Sequence, residues 1–221
     1  MKTKKKALLL SFCAVLLVVA SVLGTMAFLT SQDQVLNTFT VGNVKINLDE
    51  ADVTPDGVTV PTASRVHEND YKLMPGHTYT KDPTVTVLAG SEESFIKMEV
   101  TVNKHELLWH SGLDVRNCFQ GYSSDWIYIT DKADRTNDTR TYVFYYKDTV
   151  SALDGNVVLP ALFTEVVVPD TLTNETIKLL DGLNISVKAY AIQADGFKSS
   201  DTYADQDAYI ADANTAWANF A

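Results

Sequence analysis

The chain has 221 residues, with 18 basic against 28 acidic side chains and a formal net charge of −10. A surface that acidic repels nucleic acid and anionic lipid headgroups, so neither is expected as a partner. Its two cysteines, Cys13 and Cys118, cannot form a disulfide framework once Cys13 is assigned to the leader, so stability must come from packing.

Residues 1–6 carry four lysines, residues 7–23 are apolar, and Thr25 and Ala27 set small side chains three and one positions ahead of a cut before Phe28. That layout predicts a secretory signal peptide over 1–27 and an extracellular or cell-surface location. The competing reading is an uncleaved anchor, because the apolar run approaches the lower limit for crossing a bilayer. Either way the membrane is met only through the leader. Cys13 follows Phe12 in mid-run, which argues against a lipoprotein. Cleavage would leave 14 basic residues against 28 acidic ones, a net charge of −14. The remainder has the size of one ordinary domain, with an N-terminal arm or strand over 28–40 and the body over 41–221.

Strand signals then dominate. In "NTFTVGNVKINLDE" the apolar parity changes from Phe39 and Val41 to Val44, Ile46 and Leu48, which predicts a bulge or bend at Gly42-Asn43. A long polar loop is predicted over 49–70. Strands are predicted at 84–90 and 95–102; in the latter Ile96, Met98, Val100 and Val102 alternate with Lys97, Glu99 and Thr101. Further strands are predicted at 126–130, 141–147, 164–168 and 183–194, with a hairpin loop over 131–140. A short helix is expected within 171–181, capped at Thr173 or Asn174 and stopped at Gly182. A second helix, over about 205–220, would put Tyr209, Ala213, Trp217 and Phe220 on one face. Eight or so short strands separated by turns predict an all-β, antiparallel β-sandwich with short connecting helices and a C-terminal helix.

The chemistry on offer is sparse. "HELLWH" (105–110) approaches the zincin pattern H-E-x-x-H but carries one residue too many. At 3.6 residues per turn, His105 and His110 diverge by roughly 140° around a helix and cannot share one tetrahedral zinc. The expected role of this stretch is packing through Leu107, Leu108 and Trp109. His67, His77, His105 and His110 are read as loop or solvent-facing histidines, and Cys118 as a buried small hydrophobe. No phosphate loop, nucleophile elbow, C-x-x-C pair or calcium loop occurs, so no catalytic residue, metal site or cofactor is assigned.

The export junction "TMAFLTSQDQVLNTFTVGNVKINLDE", the block "LMPGHTYTKDPTVTVLAGSEESFIKMEV" and the strand "LNISVKAYAIQADGF" together resemble the TasA/CalY (camelysin) family. The likeness is weakest over 103–160. It implies export through a dedicated signal peptidase of the SipW-dependent type, a jelly-roll sandwich, and a structural place in cell-surface or biofilm-matrix fibres. Family subunits join by strand donation. Carried over, this makes Phe28, Leu29, Val35, Leu36 and Phe39 the positions that would fill a groove of another copy or a related subunit. Two other readings stand beside this one. A camelysin-like secreted metallopeptidase follows from the family's peptidase label, without a motif to support it. A glycan-binding sandwich would have to use Tyr142, Tyr145 and Tyr146.

Overall fold

The alternation of apolar and polar residues becomes two packed antiparallel sheets. The computed structural model describes residues 43–110 and 115–219; the side chains of Trp109, His110 and Asn174 fall outside that description. Also outside the described residues are Thr25, Ala27, Phe28, Leu29, Val35, Leu36, Phe39, Gly42 and Phe220. In chain order the strands are β1 (Ile46–Asp49), β2 (Thr78–Thr80), β3 (Thr84–Val87), β4 (Ser91–Asn103), β5 (Phe119–Gln120) and β6 (Trp126–Asp134). They continue with β7 (Thr139–Tyr146), β8 (Val150–Ala152), β9 (Val157–Val158), β10 (Glu165–Val167) and β11 (Ile185–Gln193). The α-helices are α1 (His105–His110), α2 (Asn174–Leu179) and α3 (Gln206–Ala218).

The first sheet has the order β11-β4-β7-β6, with β8 prolonging β7 along the start of β4. The second consists of two ladders, β1-β3-β9 and β2-β10-β5. Backbone bonds splice them together: Leu159 N–H to Val85 O at 2.9 Å, Leu162 N–H to Pro83 O at 3.1 Å and Lys81 N–H to Thr164 O at 3.0 Å. Pro83 and Pro160, which have no N–H to donate, fall where the regular pairing lapses. From β3 to β6 each new strand enters the opposite sheet, as in a jelly roll.

Between the sheets, Ile96, Met98, Val100 and Val102 of β4 meet Val85 and Val87 of β3, all at 0–1 % exposure. Burying each such side chain stabilises the fold by roughly 1.5–3 kcal/mol. A charge at Val100 would therefore break the sandwich. The opposite parity of β4 and β11 faces outward, and there Phe95 and Ile192 are covered by Tyr209, Ala213 and Ala216 of α3. Asp205 caps α3 by accepting the Asp207 N–H at 3.0 Å.

Several local expectations change. The hairpin loop shrinks to 135–138, because Asp134 accepts the N–H groups of Thr136 at 2.9 Å and Asn137 at 3.2 Å and so tightens the turn. Segment 49–70 is pinned rather than loose, through bridges Glu50–Val66 and Val53–Thr59. Gly57 in that segment has φ +77°, and a Cβ there would lie 2.7 Å from the Tyr79 Cα. In α2, Thr173 caps as predicted, taking the Thr176 N–H at 3.2 Å.

Candidate functional site

At one side of the sandwich the two sheets do not close. The long strand β11 ends the first sheet and, among the described residues, no strand pairs with its outer edge. Asn184 and Ala194, which flank β11, bond to the β4 side through Asn103 N–H at 3.2 Å and Glu93 O at 2.8 Å. By the two-residue alternation of an antiparallel ladder, Ile185, Val187, Ala189 and Ala191 turn their N–H and C=O groups to the open edge. The side chains of these same residues pack toward the core, yet they remain half-exposed. In contrast, their direct cross-strand partners on β4 are sealed.

Beneath this edge lies a cavity of about 940 Å³ between β11, β1, β10 and α2. Its apolar floor includes Val102, Leu108, Phe119, Leu172, Ile177 and Leu180. Leu48, Tyr71 and Leu183 stand at its sides. Lys104 Nζ holds the Leu179 carbonyl at 3.1 Å, and Asn103 Nδ2 holds that of Gly182 at 3.0 Å, which ties α2 across one end. An unpaired edge above an apolar trough can take an extended peptide: the backbone supplies a ladder and alternate side chains fill the floor.

The β1 side of the cavity is polar. Lys81 Nζ donates to Glu50 Oε2 at 2.6 Å, and both residues are buried. Asn69 Nδ2 donates to the other oxygen, Oε1, at 3.0 Å. The Tyr71 hydroxyl gives its proton to Thr80 O at 3.0 Å. Burial first, then the negative charges of Glu50 and Asp82, raise this phenol well above its ordinary range, so it stays a neutral donor. Outside, Arg65 bridges Asp49 and Asp82 and fastens the segment after β1 to the β2–β3 corner. A buried charge survives only with partners, and this wall supplies them.

The sequence-derived candidates are scattered. His105 is buried, not solvent-facing as expected, with Nε2 at 3.2 Å from Arg140 Nη1. It sits there because "HELLWH" folds into the regular helix α1, on which Leu108 is buried and Leu107 packs against the core. His67 and His77 bond to the carbonyls of Leu48 and Asp56. Cys118 is only half-buried and lines the cavity. Tyr142 and Tyr145 are buried at 2 % and 5 % and Tyr146 packs edge-on against Trp126, so these rings serve strand packing, the use expected of them over the sugar-binding alternative. Among the described residues the exposed rings are Tyr122, Tyr128 and Tyr190. Among the described residues no three His, Cys, Asp or Glu side chains converge as metal ligands. Nothing in the spacing of β11 marks the cavity, which its Ile185, Ser186 and Val187 line.

No family profile, no curated protein and no solved structure matches this chain. Among the described residues no helix is long and apolar enough to cross a membrane.

Proposed function

We propose that this is an exported cell-surface or biofilm-matrix structural protein, a fibre subunit or an accessory to one. In this reading it polymerises when the N-terminal arm of one copy enters the β11 groove of the next. A signal peptidase cuts before Phe28, and Phe28, Leu29, Val35, Leu36 and Phe39 supply the apolar side chains that the groove lacks. The observation that carries the reading is the open edge of β11, where the core-facing Ile185 and Val187 stay partly exposed above the cavity. The resemblance of the export junction and the "KDP" block to the TasA/CalY family points the same way.

The length of the arm suits the task. Residues 28–42 reach roughly 50 Å when extended, against roughly 30 Å for the nine residues of β11. Donation from one copy to the next is heterologous and does not close on itself, so it yields filaments rather than dimers. Deleting residues 28–36 from the secreted protein should leave a folded domain that stays monomeric by light scattering, while the intact protein grows into fibres. Equal size distributions for the two proteins across salt and pH would reject the proposal.

A further inference from the structure

We propose that Lys81 and Asn69 are joined by an intramolecular isopeptide bond whose formation Glu50 promotes by carrying protons. Both reactants meet the same carboxylate in the polar wall: Glu50 Oε2 takes Lys81 Nζ at 2.6 Å and Oε1 takes Asn69 Nδ2 at 3.0 Å. Glu50 and Lys81 are only 6 % and 8 % exposed, so little water competes for either. Asn69 Oδ1 accepts the Val53 N–H at 3.0 Å, a donor placed to stabilise negative charge as it develops on that oxygen. A further bond from Asn69 Nδ2 to Ala51 O at 2.9 Å fixes the amide plane. The Tyr71 ring, with its centroid 5.8 Å from Nζ, helps to enclose the site.

The chemistry follows from these contacts. Lys81 passes a proton to Glu50 Oε2, and the freed amine attacks Cγ of Asn69. The new Nζ–Cγ bond forms as the carbonyl electron pair moves onto Oδ1 beneath the Val53 N–H. Glu50 delivers the proton to Nδ2, the Cγ–Nδ2 bond breaks, and nitrogen departs. Two of the three ammonium protons reach it through Glu50, so it leaves as ammonium and Glu50 ends as a carboxylate. Atoms and charge balance without an oxidant or a co-reactant. An ordinary buried ion pair is the competing account of the same three residues. The bond would anchor the segment after β1 covalently to the β2–β3 corner, whether or not the groove accepts a strand.

A tryptic map of the intact secreted protein decides between them. Cleavage after Arg65, Lys72 and Lys97 should give a branched species: residues 66–72 joined to 73–97, lighter than the two peptides by one ammonia and uncut at Lys81. Glu50→Gln and Lys81→Arg, each checked for folding by circular dichroism, should give peptides 66–72 unlinked. Free 66–72 and 73–81 from the unaltered protein would overturn the proposal, and that reading needs no variant to fold. Cross-linking at the unaltered level in Glu50→Gln would overturn the part assigned to Glu50.

Discussion

On the β6 side of the sandwich, Tyr122 packs edge-on against Phe163, and the Trp126 indole donates to Pro160 O at 2.8 Å. On the β11 side, Ile185 and Val187 stand partly exposed over a cavity with an apolar floor. The edge strands differ in the same sense. β6 is interrupted by a bulge between Tyr128 and Thr130 and ends in Asp131, Lys132 and Asp134, features that discourage further pairing. β11 runs nine residues in unbroken register and carries a single charge, Lys188. One seam is finished by its own side chains. The other keeps, among the described residues, an unpaired edge, an asymmetry that would give the proposed assembly a direction.

The largest expected effect lies in the filled seam. Phe163→Ala should cost about 3–5 kcal/mol, a large part of the ~5–15 kcal/mol that holds a domain together. Val187→Ala, at a half-exposed position, should cost about 1 kcal/mol or less. Urea midpoints for the two variants test this contrast, and equal losses would mean that the β11 seam is as well packed as the other.

The next effect concerns assembly. Val187→Arg would place a charge over the trough, so the protein concentration needed for fibres should rise at least about tenfold, equivalent to about 1.4 kcal/mol of contact free energy. Thr130→Lys on the exposed edge of β6 should leave that concentration unchanged. If Thr130→Lys blocked growth and Val187→Arg did not, the two edges would have to exchange roles.

Smaller effects come from charge. The Glu93 carboxylate accepts Lys198 Nζ and the Thr149 hydroxyl, and it lies beside the β4–β11 pairing. Burial works to raise its pKa, but these bonds outweigh burial and hold it below the ordinary 4.5. A carboxylate with a depressed folded pKa stabilises the fold above 4.5, and that contribution disappears as pH falls through the folded value. The urea midpoint should therefore fall more steeply below pH 4.5 in the unaltered protein than in Glu93→Gln, by less than about 1 kcal/mol because the pair is partly solvated. Added salt should modestly speed fibre growth, since an acidic surface resists self-association when its charge is unscreened.

Long periodic elements were legible in the sequence. The four apolar positions of β4, the inward parity of β11 and the Tyr209–Ala213 face of α3 all follow from side-chain spacing. Short strands were not: β2, β5, β8 and β9 span two or three residues, too few to show a period, and they exist because neighbouring strands hold them. The polar wall was equally hidden, for Glu50 finds Lys81 across 31 positions of chain and nothing in the sequence pairs the two. His105 was misjudged because its burial comes from tertiary packing of α1, where Arg140 lies 35 positions away.

The most direct test of the acceptor edge is a disulfide trap between copies. In a Cys118→Ser background of the chain from residue 28 onward, one preparation carries Phe39→Cys and another, distinguishable by mass, carries Val187→Cys. Mixed under mild oxidation during fibre growth, the two should yield a heterodimer containing one chain of each kind, well above the yield for Phe39→Cys mixed with a Thr130→Cys control. If instead the Val187→Cys and Thr130→Cys mixtures give equal yields, or a Phe39→Cys/Val187→Cys double variant closes only within its own chain, then β11 does not receive the arm of a neighbouring copy.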